Sequence, residues 1–192
     1  MERMKRRIVV GLSGSSGAIY GVRLVEILSA MQDIEVHLVI SSGARATITY
    51  ETDHSPDDVV AMADNVYDDR DLGAAVASGT FLTDGMVIAP CSIKTLSAVA
   101  NSFNDNLVTR AADVALKESR KLVMVVRETP LHQGHLRLMM MAAKAGAIIL
   151  PPVPGFYTRP QTIADIVDHT ITKVLDQFGI EAGLIERWSG LD

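Results

Sequence analysis

The chain has 192 residues, 48% of them hydrophobic, with 18 basic against 23 acidic residues and a net charge of −5, enough for one domain with a sizeable core and short for two. The acidic balance argues against a nucleic-acid partner, which calls for a concentrated basic stripe, and leaves room for a local basic pocket for phosphates. The single cysteine, Cys91, excludes an intrachain disulfide framework and a cysteine-rich zinc site. No apolar run approaches a membrane span, and the apolar stretch after the basic N-terminus, Ile8–Leu12, is too short for a secretion signal. A cytoplasmic protein with no membrane partner is expected.

Ile8–Leu12 reads as a strand buried on both faces, followed by the small-residue loop Ser13–Gly17 and a helix over Ala18–Met31. Val36–Ile40 is a second strand, after which Ser41-Ser42 can cap a helix running to Glu51. Ser55-Pro56-Asp57-Asp58 has an N-cap serine, a proline at the first helical position and acids in the first turn. The polar stretch from Asn65 to Thr80 carries no clear period. Gly85–Ala89 is a third strand, Thr95–Asn101 and Leu107–Glu118 are helices, Leu122–Val126 a fourth strand, Leu131–Ala145 a helix and Ala147–Leu150 a fifth strand. Thr162 to Asp165 resembles a capping box and opens a last helix that ends at Gly179. This alternation predicts a single-domain α/β protein over residues 1–192: a three-layer, flavodoxin-like or Rossmann-like parallel sheet of about five strands.

In such sheets ligands bind beyond the carboxyl ends of the strands. That rule selects Ser13–Gly17, Ser41, Pro90–Thr95, Arg127-Glu128 and Pro151–Tyr157. Ser13–Gly17 is compatible with an ordinary tight turn and with an anion held at a helix N-terminus. It has neither dinucleotide-fingerprint nor P-loop spacing, and no GK[ST] follows. Ser92 and Thr95, three apart at a helix start, can turn hydroxyls and N–H groups toward a phosphate, while capping accounts for only one of them. Cys91 reads as a buried thiol and not a nucleophile. Arg127-Glu128 is a charged pair at the ligand end of a strand, where the Glu128 carboxylate is expected to pair with a cation, Arg127 or a neighbouring lysine. Glu51 is, by pattern alone, one carboxylate among many. His132 and His135 lack a third metal ligand. Met139–Met141 suits core or a subunit interface, and a homo-oligomer is expected.

Taken in chain order, the segments SGSSGAIYG, TYETD, PCSIKTLSAVANSFNDNLVTRAADVALKE, VVRETPL and PPVPGFY resemble the UbiX-type flavin prenyltransferases, in the branch associated with phenolic-acid decarboxylases. The resemblance runs from about Arg7 to Trp188. It implies a dodecamer that joins a dimethylallyl group, from dimethylallyl phosphate, to N5 and C6 of reduced FMN without a metal. The product would be the cofactor of a UbiD-type decarboxylase acting on an aromatic acid. Carried over residue by residue, it implies FMN contacts at Gly14, Ser15, Ser16, Ser41, Ser92, Ile93, Lys94, Thr95 and Arg127. Prenyl phosphate contacts fall on Arg110, Lys117, Tyr157 and Lys173, and the catalytic set on Ser16, Glu51, Lys117 and Glu128. Lys173 stands where some members carry arginine, which keeps the charge and loses a bidentate fork. The types suit the chemistry: cations and a phenol offset phosphate charge, and positioned carboxylates move protons. A related flavin-dependent cysteine decarboxylase would share the Pro90–Thr95 loop but would carry a PxMNxxM motif where this chain reads Arg127-Glu128-Thr129-Pro130-Leu131. A non-catalytic flavin-binding subunit of a decarboxylase would not need Glu51, Glu128 and Lys117 together.

Overall fold

The computed structural model describes residues 5–188 and 190. Six strands pair in parallel: β1 (Arg6–Leu12), β2 (Ile34–Ile40), β3 (Asn65–Tyr67), β4 (Gly85–Cys91), β5 (Lys121–Val126) and β6 (Ile148–Ile149). The central strands are buried nearly end to end, as their Val, Ile and Leu content requires of strands covered on both faces. Alternation along each strand divides the core in two. Ile8, Val10, Val87, Ala89, Val123 and Val125 face α1 (Ala18–Ser29) and, further along the chain, the final helix. Val9, Met86, Ile88, Leu122 and Met124 face the opposite helical layer.

Between β2 and β4 run α2 (Ser42–Glu51) and α3 (Pro56–Met62); α4 (Ile93–Ala100) and α5 (Leu107–Lys117) follow β4, and α6 (Gln133–Lys144) and α7 (Ile163–Phe178) complete the layers. The helix starts are those the caps predict. Ser41 caps α2, Ser55 and Asp58 form a reciprocal box on α3, and Thr162 with Asp165 does the same on α7.

The sheet order is β3-β2-β1-β4-β5-β6, so the chain winds outward in one direction from β1 and then in the other from β4. The reversal puts the topological switch point between β1 and β4, where a crevice opens above the strand ends. The loops entering it are Ser13–Gly17 and Ser92–Thr95. β3 is the sixth strand and lies in the stretch that had no sequence period. It is a three-residue edge, only partly covered, so no apolar run marks it. Among the described residues no helix is long and apolar enough to cross a membrane.

Candidate active site

The two crevice loops are tied by one side chain. The buried Ser13 hydroxyl donates to the Pro90 carbonyl and accepts the Ser92 N–H, both at 2.8 Å. The first loop also lies against the start of α2: a Cβ on Gly14 would fall 2.9 Å from the Gly43 backbone, so only glycine fits there. Beside it the Ser15 hydroxyl oxygen is buried and has no hydrogen-bond partner.

At the N-terminus of α1 no side chain of the loop caps the helix, and Gly17 sits there in the left-handed region, φ 100°. The cap comes from Glu51, at the far end of α2. Its Oε2 accepts the Gly17 N–H at 2.7 Å and the Ala18 N–H at 3.1 Å. The anion at this helix end is therefore part of the protein, which answers the two readings open for the loop: it is an anion site, occupied by Glu51. Burial on its own would raise the Glu51 pKa. The Gly17 and Ala18 N–H groups, the Ser16 hydroxyl and the Arg127 charge outweigh it and hold the carboxyl below the usual carboxylate range. Glu51 is thus ionised at neutral pH.

In the second loop Ser92 caps α4, accepting the Thr95 N–H at 3.2 Å, and the two hydroxyls pair at 3.0 Å. One hydrogen-bonded unit accounts for both residues. Ile93 and Lys94 open α4, and the exposed Lys94 ammonium lies 3.5 Å from Asp105. Cys91 is fully buried, with its thiol pKa pushed far up by desolvation, so it is not a nucleophile. Ser41, at the end of β2, caps α2: its hydroxyl accepts the Ala44 N–H, and its own N–H donates to Leu12.

Arg127 leaves the end of β5 and passes Gly17, within reach of Glu51 and Tyr20. The expected pairing of Arg127 with Glu128 is not formed among the described residues. Glu128 is exposed and accepts the Thr129 N–H at 2.9 Å. The difference has a simple cause. Successive residues leaving a strand point in opposite directions, and the Arg127 side chain runs past Gly17, where its charge helps hold the Glu51 carboxyl low.

A second cluster lies along α7. The Tyr157 hydroxyl is 3.0 Å from Nε2 of the buried His169, Lys173 is one turn further along the helix, and Trp188 packs its edge on the Tyr157 ring. Tyr157 and Trp188 border a cavity of about 450 Å³ that Arg159, Asp165 and Arg187 also line. Burial raises the Tyr20 pKa, while the Thr170 hydroxyl and the Arg127 charge act to lower it.

Arg110 and Lys117 are not brought into either cluster. Arg110 binds the Ala77 carbonyl and Asp113 on the outer face of α5. Lys117 is two turns further down, about 10 Å, at the edge where β5 begins, and pairs with Glu118. His132 caps α6 through the Gly134 N–H and stacks on His135 at 3.6 Å between centroids. Ser13, Tyr20, Gly43 and His169 were not singled out from sequence. Ser13 alone had a signal, as the first residue of the loop.

The family model described as Flavoprotein matches residues 1–175. A flavin prenyltransferase UbiX from Thauera aromatica is 60% identical over 184 residues, covering 96% of this chain and 94% of that one. The chain belongs to the flavin prenyltransferase family. A crystal structure of the flavin prenyltransferase AnUbiX (PadA1) in complex with FMN and dimethylallyl pyrophosphate superposes with a TM-score of 0.95 at 47% identity, over 98% of this chain and all of that one. A dodecameric FMN-dependent UbiX-like decarboxylase from Escherichia coli O157:H7 gives 0.94 at 47% identity, over 96% of this chain and all of that one.

Proposed function

We propose that this chain transfers a dimethylallyl group from dimethylallyl phosphate to reduced FMN: the allylic C–O bond breaks and phosphate leaves as N5 exchanges its proton for the allylic carbon, and the alkene then takes a proton as its other carbon replaces the hydrogen on C6. The observation that carries the reading is the convergence of Ser16, the ionised Glu51 and Arg127 at the switch point, beside the unpartnered Ser15 hydroxyl. A buried hydroxyl without a partner, on a loop with no room for a Cβ at Gly14, fits the polar edge of a flavin. Gly14, Ser15, Ser16, Ser41, Ser92, Ile93, Lys94, Thr95 and Arg127 hold the FMN. When bound, reduced FMN supplies the nucleophilic ring atoms.

The protein's own part is electrostatic and protolytic. Tyr157 and Lys173 take the phosphate, whose charge must be offset as the allylic C–O bond breaks. Glu51, ionised, faces the flavin loop as a base and charge partner. Glu128, with one oxygen bound only to its neighbour's N–H, is the group left to donate a proton to the departing phosphate. Arg110 and Lys117 complete the phosphate site from a neighbouring subunit, since neither reaches it within its own chain. Assembly as a dodecamer supplies that neighbour, and the apolar groove of Leu136 and Met140 on α6 is a surface it can cover. The product is handed to a UbiD-type decarboxylase in the cytoplasm.

The test is to incubate the protein anaerobically with reduced FMN and dimethylallyl phosphate and to look by mass spectrometry for a flavin heavier by one dimethylallyl group. Absence of the adduct with both mono- and diphosphate donors overturns the reading. Ser15→Ala separates binding from folding. Removing an unsatisfied hydroxyl costs the free protein no hydrogen bond, so its melting temperature should hold or rise, while FMN affinity falls about five- to tenfold. Equal FMN affinity by equilibrium dialysis would remove Ser15 from the flavin site.

A further inference from the structure

His169 is the one buried ionisable side chain of α7 that the proposed chemistry leaves without a task. It is 8% exposed, and a buried imidazole needs a partner. That partner is Tyr157: the phenol oxygen lies 3.0 Å from Nε2 and the rings meet edge to face, 78° apart. The approach is built in. A Cβ on Gly155 would lie 3.0 Å from both the His169 Cε1 and the Tyr157 Cε1, so this glycine lets the loop before Tyr157 settle on the imidazole. Trp188 holds the Tyr157 ring from another side at 81°. The phenol is thus fixed in place while more than half of its residue surface stays open.

From this geometry we infer that His169 is a positioning residue for the prenyl phosphate: its Nε2–H donates to the Tyr157 oxygen and turns the phenolic proton outward to the phosphate. The inference rests on the phosphate role proposed for Tyr157. The direction follows from competition between acceptors. Burial, with the Lys173 charge one turn away, lowers the His169 pKa, so the ring is neutral and has a single N–H. An anionic phosphate is a stronger acceptor than a neutral ring nitrogen and takes the phenolic proton. The Tyr157 oxygen is then free to accept, which the Nε2–H tautomer satisfies. Accepting that bond also polarises the phenol and makes it the better donor.

Three variants test this: His169→Phe, which keeps a ring and loses the donor; His169→Gln, which keeps an N–H near Nε2; and Tyr157→Phe. Dimethylallyl phosphate affinity is measured by calorimetry with oxidised FMN bound, so that nothing turns over, alongside KM and kcat for adduct formation. His169→Phe should weaken dimethylallyl phosphate binding and raise its KM about five- to tenfold, with kcat nearly unchanged, and His169→Gln should stay near the wild type. In the Tyr157→Phe background His169→Phe should add nothing. Equal losses for Gln and Phe, additive losses in the double variant, or a fall in melting temperature with unchanged affinity would each overturn the inference. If the wild type binds dimethylallyl phosphate with this variant pattern yet forms no adduct, the proposed reaction falls and the role of His169 stands. If it binds none, both fall.

Discussion

Glu51→Gln is expected to slow adduct formation by about 10²–10⁴-fold while leaving FMN affinity within a few-fold of the wild type. Glutamine keeps an oxygen that can accept the Gly17 and Ala18 N–H groups, so the α1 cap largely survives. What disappears is the negative charge beside Arg127 and the ability to take a proton. The same substitution has a signature in stability. The folded-state pKa of Glu51 is depressed from 4.5, so its ionised form contributes stability that is fully present above the unfolded value and is lost as pH falls through the lower folded value. Wild-type melting temperature should therefore drop more steeply than that of Glu51→Gln below about pH 4.5, with the two converging in acid. Single-turnover adduct formation on flavin-saturated protein reads the first effect and pH-resolved thermal unfolding the second. Wild-type rates in the variant would remove Glu51 from the chemistry, and parallel melting curves would deny its ionised cap.

Gly21→Ala should be strongly damaging for so small a substitution. Alanine is the better helix former by about 1 kcal/mol, so propensity alone predicts stabilisation of α1. Packing predicts the reverse. A Cβ at Gly21 would stand 2.2 Å from the Ala89 carbonyl oxygen and 2.7 Å from the Leu12 side chain, because α1 rests directly on the backbone of β4. The helix has to lift off the sheet, at a cost of about 3 kcal/mol or more, which for a chain of this size lowers the melting temperature by roughly 10 °C. Since α1 begins at Gly17 and the Glu51 cap, FMN affinity should fall with it. Urea denaturation gives the sign directly, and a variant as stable as the wild type would refute the close approach.

The parts of this fold that were legible in sequence are those whose signals are local. Strands covered on both faces announce themselves as unbroken Val and Ile runs, and α3 and α7 begin at side chains whose capping bonds span three residues. β3 escaped because an edge of three residues needs no apolar pattern. In the site, the loops were legible because a parallel sheet fixes where its strands end. Which groups meet there was not. Glu51 reaches Gly17 across a separation of 34 residues, Arg127 runs past Gly17 and does not pair with its neighbour Glu128, and His169 finds Tyr157 through a turn that Gly155 allows. Those pairings depend on helix placement, which composition and period do not encode. Lys117 illustrates the converse. Its place in the motif suggested proximity to the phosphate; the length of α5 carries it to the other end of its own sheet, so the proximity proposed above is to a neighbouring subunit's site.

The Ser13 hydroxyl, bonded to both Pro90 and Ser92, has a kinetic consequence. Donating to one loop carbonyl and accepting from one loop N–H, it holds the ends of β1 and β4 at a fixed spacing before any flavin arrives. The ordering of the two loops is then achieved during folding and not during association. Capture of FMN should accordingly be a single encounter, with a rate that rises in proportion to flavin concentration and no slow rearrangement to limit it.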